Sequence, residues 1–108
     1  MININICQDF SETPGARYRS EGNFSGEAFR DDVLEPLYKK AVKNMEKITV
    51  NLDGGYGYPT SFLEEAFGGL ARKYNPTEVL SLLEFISEDE PSLIEEIKGY
   101  IKNARKGE

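Results

Sequence analysis

Two adjacent hydroxyls, Thr60 and Ser61, stand where this sequence brings reactive side chains and backbone donors together. They follow Asp53-Gly54-Gly55-Tyr56-Gly57-Tyr58-Pro59, a run of turn formers, and precede Phe62, Leu63, Ala66, Phe67, Leu70 and Ala71, whose spacing is helical. A strand, a glycine loop and a helix N-terminus in that order place unpaired N–H groups beside a hydroxyl at one exposed point. A phosphoryl group on Thr60 or Ser61 would sit at the positive helix end and add roughly −2 charge. It would abolish docking of an apolar or acidic partner. The plainer alternative is structural. Ser61-Phe-Leu-Glu64 has the spacing of a capping box, in which serine bonds forward and glutamate bonds back. The loop from Asp53 to Pro59 is the candidate partner surface, with Tyr56 and Tyr58 as aromatic contacts.

A second grouping is basic. Arg17, Arg19 and Arg30 lie near Tyr18 and offer bidentate contacts to an anion or phosphate. The competing expectation is salt bridges to the many carboxylates around them. Gly54-Gly-Tyr-Gly57 lacks the Lys-Ser/Thr of a P-loop and the spacing of a dinucleotide-binding loop, so as a phosphate cradle it is weak. Its glycines are expected to take positive φ in a tight turn. The pairs Asp31-Asp32 and Glu64-Glu65 are adjacent and diverge by about 100° on a helix, which rules them out as acid–base couples. There is no histidine, and Cys7 has no cationic neighbour in sequence to lower its pKa. No hydrolase, transferase or metal signature is present, and the expectation is a protein without catalytic residues, cofactor or metal.

The elements that must hold these groups are legible from periodicity. Ile2, Ile4 and Ile6 alternate with Asn3 and Asn5, as do Ile48, Val50 and Leu52 with their polar neighbours; both read as strands with one buried face. Leu82–Ser87 reads as a third strand, although Thr77–Leu83 could begin as a helical turn, and Ala16–Ser20 as a short fourth strand. Ser25 is an N-cap, with Phe24 and Phe29 in the positions of a hydrophobic staple. Phe29, Val33, Leu34, Leu37, Ala41 and Val42 give the next helix its apolar stripe, which Pro36 should kink or split. Gly68-Gly69 implies either close packing on a sheet or fraying near the helix end, and Pro76 stops that helix. A last helix starts around Asp89–Ser92 and buries Leu93, Ile94, Ile97, Tyr100 and Ile101, before a polar tail at 102–108 that should fray.

The chain has 108 residues, 39% of them hydrophobic and 30% charged, which fits one soluble globular domain over 1–108. Its net charge of −6 repels polyanions, so nucleic acid is a poor partner. No apolar run is long enough to span a bilayer, and the N-terminus lacks the basic residues of a secretory signal. One cysteine forms no internal disulfide, consistent with a reducing cytoplasm.

The order strand, loop, strand, helix, strand, loop, helix, strand, helix resembles STAS domains, the fold of anti-sigma-factor antagonists and sulphate-transporter tails. More closely, the chain resembles the STAS-like family of small bacterial proteins of unassigned function. The residues carrying the resemblance are Gly15-Ala-Arg-Tyr-Arg19, Gly22-Asn-Phe-Ser-Gly-Glu-Ala-Phe-Arg30 and, most specifically, 51–69. The resemblance implies an α/β domain with a mixed sheet of about four strands and three main helices. It implies a non-enzymatic regulatory domain whose partner is an ATP-binding kinase or anti-sigma-type protein, and it carries no expectation about oligomeric state. In antagonists of that superfamily the matching junction bears a phosphorylated serine, usually preceded by aspartate and a second small hydroxylated residue. Here Pro59 replaces the aspartate before Thr60-Ser61, and the loop is Gly-Gly-Tyr-Gly-Tyr. Two other classes stand beside this reading. One is a small-ligand or nucleotide sensor using Arg17, Arg19 and the glycine loop; the other is an enzyme with dispersed catalytic groups.

Overall fold

The computed structural model describes residues 2–104, so the part of the expected frayed tail beyond 104 lies outside the described residues. Three strands, β1 (Ile2–Asn5), β2 (Ile48–Asn51) and β3 (Leu83–Ile86), form one wholly parallel sheet in the order β1-β2-β3. Ile2 pairs with Ile48 and Ile48 with Leu83, so the apolar alternations of all three strands share one face. Two successive crossovers of the same hand, both advancing in the same direction, place their helices on the same side of a sheet. Ile2, Ile4, Ile48, Val50 and Leu83 are accordingly buried beneath helices. The opposite face carries Asn3, Asn5, Thr49, Asn51, Glu84 and Ile86, each exposed or half-buried. Its polar composition is what lets a parallel sheet leave one side open.

Five helices cover the other face. A single turn, α1 (Ile6–Asp9), follows β1 directly, capped by the Asn5 side chain on the Gln8 N–H at 2.9 Å. The long helix α2 spans 26–44, with a π-turn at Arg30–Leu34 between α-helical segments. A second long helix, α3, spans 60–73 with its own π-turn at Glu64–Gly68. Then come α4 (Pro76–Leu82) and α5 (Ser92–Lys102).

Several sequence expectations are corrected here. Among the described residues the sheet has three parallel strands instead of about four mixed ones, and there are five helices instead of three main ones. Ala16–Ser20 forms no strand: Ala16 has φ +71°, and a 3-10 turn occupies Arg19–Glu21. Its backbone serves α2 instead, since the carbonyls of Ala16 and Arg17 accept the N–H groups of Gly26 and Glu27 at 3.1 and 3.0 Å. Those are donors that a helix cannot satisfy itself. Pro76 does not merely stop α3; it is the first residue of α4, behind an Asn75 cap that accepts from Thr77 and Glu78. The third strand is therefore shorter than expected.

Pro36 neither breaks nor splits its helix. Its ring would press on the carbonyl four residues back, and the widened π-turn just before it makes the room. The extra residue in that turn rotates the rest of α2 about its axis. Leu34, Tyr38 and Ala41 become fully buried, whereas Val42, placed in the stripe by simple periodicity, is 43% exposed. The Ser25 cap is made, its hydroxyl accepting the Ala28 N–H at 3.0 Å, and Phe24 and Phe29 both pack edge-on against Phe10. Phe62, Leu63, Ala66, Phe67, Leu70 and Ala71 are all fully buried, as their spacing predicted. Gly68 and Gly69 meet charged side chains, not the sheet: a methyl on Gly68 would lie 2.8 Å from a carboxylate oxygen of Glu64 in the same helix, and one on Gly69 2.5 Å from an Arg30 nitrogen of α2.

Candidate functional site

The loop after β2 lies at the carboxyl end of the central strand, where parallel α/β sheets place their binding surfaces. It begins with an Asx turn, the Asn51 side-chain oxygen accepting the Asp53 N–H at 2.9 Å. Gly54 and Gly57 then take φ of +100° and +118°, the left-handed region in which a side chain is strained. The loop is braced on three sides. The Asp53 carboxylate accepts the N–H groups of Glu88 and Asp89 at 3.0 and 2.9 Å, and Asp89 answers by accepting the Gly54 N–H at 3.2 Å. The Cys7 thiol donates to the Gly54 carbonyl at 3.2 Å, and the Glu12 carbonyl accepts from Tyr56 N–H at 3.1 Å. Gly55 is small because Glu12 is close: a methyl there would lie 3.2 Å from its carbonyl oxygen.

These contacts sort the predicted partner residues. Asp53 is a brace, its carboxylate directed into the chain. Tyr58 is half-buried, its hydroxyl donating to the Leu52 carbonyl at 2.7 Å while its ring lies against Phe62. Burial first, then the nearby Cys7 and Asp53, pushes that phenol up to about 12. Tyr56 is different. It is 83% exposed and stands out from a pinned backbone. Gly57 and Pro59 are also open to solvent, and Gly54 with them.

Helix α3 has Pro59 as N-cap and Thr60 as its first helical residue. The Pro59 carbonyl accepts the N–H groups of Phe62 and Leu63 at 3.1 and 3.2 Å. The capping box is not formed. Ser61 lies inside the helix and its side chain caps nothing, because proline takes the cap position. Glu64 does not reach back; its carboxylate holds Arg17 and Arg72. Thr60 is exposed and Ser61 half-buried, so neither hydroxyl is sealed beneath another element. The Thr60 side chain lies beside Tyr100, whose hydroxyl donates to Glu96 at 2.7 Å.

The arginines do not converge on the loop. Arg17 joins Glu64, with Glu65 at 3.4 Å; Arg30 joins Glu65 and Asp31; Arg72 joins Glu64, with Glu65 at 3.6 Å. Arg19 reaches Asp32 at 2.7 Å. All three predicted anion ligands are thus engaged by carboxylates; Arg17 ties the 15–21 segment to the π-turn of α3, and Arg30 joins the two π-turns through Glu65. Burial alone would raise the Glu64 carboxyl, but the hydrogen bonds from Arg72 and Arg17 outweigh it and hold it below the ordinary glutamate range. Residue spacing could not reveal Asp89, Glu90, Ser87 and Leu93 as neighbours of the loop, since the fold brings them in from beyond β3. Among the described residues no group of cysteines and carboxylates is arranged to hold a metal ion, and no helix is long and apolar enough to cross a membrane.

Residues 25–93 match the family described as the STAS-like domain of unknown function (DUF4325). The match covers well over half of the chain and includes α2, β2, the glycine loop, α3 and β3. This protein belongs to that family. No curated protein and no solved structure matches the chain.

Proposed function

We propose that this protein is a non-enzymatic regulatory domain that works by protein–protein contact through residues 53–61, switched by phosphorylation of Thr60 or Ser61. Its partner is of the ATP-binding kinase or anti-sigma class, the class that STAS kinship points to. The observation carrying the proposal is the exposed Thr60 beside the half-buried Ser61 on the first turn of a deeply buried helix, next to a braced loop that projects Tyr56. A rigid backbone holding an exposed aromatic suits a contact surface, because little conformational entropy is lost on docking. A phosphoryl group on the first turn of α3 gains the unpaired N–H groups and the positive helix end. Thr60 is the more open acceptor. The added charge of roughly −2 changes the affinity of whatever docks there: an apolar or acidic partner is released, a cationic one is held more tightly.

The test is incubation of the full chain with candidate kinases and ATP, followed by intact-mass measurement and peptide mapping. The expected product carries one phosphoryl group on Thr60 or Ser61, absent from the double alanine variant. Transfer to no residue, or only to residues outside 53–61, would remove the switch from the proposal. Partner binding is compared in Thr60→Asp and Ser61→Asp to read the docking surface independently.

A further inference from the structure

The glycine loop and the connection between β3 and α5 enclose a cleft of about 170 Å³, whose walls include Leu52, Tyr56, Tyr58, Asp89, Glu90 and Leu93. Small-molecule sites usually occupy roughly 300–1,000 Å³, so this one is sized for a single protruding side chain and not for a nucleotide. Its chemistry is of three kinds. Leu52 and Leu93 supply an apolar wall, and both are buried. Exposed Tyr56 and half-buried Tyr58 are its aromatic lining. Asp89 and Glu90 stand at the exposed rim, and no lysine or arginine lines the cleft to neutralise them.

Each class of occupant can be weighed against those walls. An anion meets Asp89 and Glu90 and is repelled. A purely apolar side chain fills the floor but takes water from two carboxylates without replacing it. A long cation satisfies all three surfaces: its methylene stem covers the leucines while its head lies against a tyrosine face and reaches a carboxylate. Arginine fits better than lysine, since a planar guanidinium can stack on Tyr56 and still donate in its own plane. The aromatic walls matter here, because acidic residues alone would bind any counterion loosely. We propose that this cleft receives an arginine side chain presented by the partner, and that recognition of a basic segment is how the docking loop selects its partner. This rests on the docking surface proposed above and adds the chemistry of what docks; it does not depend on phosphorylation.

The probe is N-acetyl-arginine amide, titrated into the isotope-labelled full chain and followed by amide chemical shifts. Its uncharged isostere, N-acetyl-citrulline amide, is the control. The expected result is saturable shifts centred on Gly54, Gly55, Gly57 and Leu93, with affinity on the order of millimolar and roughly fivefold or more above citrulline. Tyr56→Leu, at a side chain too exposed to matter for folding, should weaken arginine binding by roughly fivefold. Asp89→Asn, which keeps an acceptor for the Gly54 N–H, should do the same. Equal responses to arginine and citrulline, unsaturable shifts scattered over surface carboxylates, or full binding by Tyr56→Leu would each overturn the inference. If those results came with phosphoryl transfer to Thr60 or Ser61 intact, the inference would fall while the switch stood. Saturable, cleft-centred arginine binding without any phosphoryl transfer would uphold the inference and leave the domain unswitched.

Discussion

One methyl group should act with opposite sign at Gly26 and Gly99. A Cβ on Gly26 would lie 2.5 Å from the Phe62 carbonyl oxygen, 3.0 Å from the Glu65 Cβ and 3.2 Å from the Ala66 nitrogen. Two of these three atoms are backbone of α3 and cannot rotate aside, so the helices must part by most of an ångström. Overpacking of this kind costs about 1–3 kcal/mol, and rigid backbone neighbours place Gly26→Ala at the upper end. The helix-propensity gain from removing glycine, at most about 1 kcal/mol, offsets part of that. A net loss of about 2 kcal/mol remains, equivalent to a fall in melting temperature of about 8–16 °C for a domain of this size. Gly99, in the interior of α5, has nothing within 4 Å of the same added atom. Gly99→Ala should therefore gain about 0.5–1 kcal/mol. Thermal melts and urea titrations of the two variants beside the parent chain read both signs. A Gly26→Ala protein melting at or above the parent would refute the close helix crossing. A Gly99→Ala protein melting below the parent would refute the open space around Gly99. Because Phe62 directly succeeds Ser61, Gly26→Ala should also displace the start of α3, and with it the docking surface proposed at residues 53–61.

Other consequences can be checked separately. Ser61→Ala should leave stability within about 0.5 kcal/mol, because its hydroxyl caps nothing, whereas Asn75→Ala should cost about 1 kcal/mol by uncapping α4; paired denaturant titrations decide it. Arg30→Met should cost roughly 2–4 kcal/mol, since the well-buried Glu65 carboxylate would keep only its longer contacts to Arg17 and Arg72, and Arg30→Lys should not restore it fully. Stability should fall at both ends of the pH range. Glu64 and Glu35 are held below the ordinary glutamate value of 4.5, where their burial is outweighed by hydrogen bonds, from Arg72 and Arg17 and from Tyr74 and Lys73 respectively. Their contribution is complete above that value and is lost as pH drops below it. Tyr58 and Tyr74 are each pushed up to about 12, chiefly by burial, so their contribution is lost as pH rises above the ordinary tyrosine value of 10.0. Melting temperatures across pH, with tyrosinate absorbance monitored at the alkaline end, test both limbs; a melting temperature flat through either limb would contradict the assignment.

Much of this protein is written locally. Alternating isoleucines and asparagines fix β1, because a period of two puts one set of side chains in the core and the other in water. The even run of apolar positions after Ser61 fixes α3 for the corresponding reason at a period of 3.6, and Ser25 fixes the start of α2. The glycine loop and the exposed Thr60 just after it are also legible, since turn chemistry is a matter of neighbouring residues. What the sequence misjudged was set by contacts between distant residues. Ala16–Ser20 has strand-like residues, yet its carbonyls are drawn to the unsatisfied donors of α2. The capping box at Ser61 is absent because proline holds the cap position and Glu64 has two arginines to bind. Val42 leaves the core because a π-turn ahead of Pro36 rotates everything beyond it. The cleft beside Tyr56 exists only once the parallel pairing of β2 with β3 brings Asp89 and Leu93 across 35 or more residues to the glycine loop. Short-range periodicity fixes which face of each element is buried; which charges meet across those faces is decided when the elements pack.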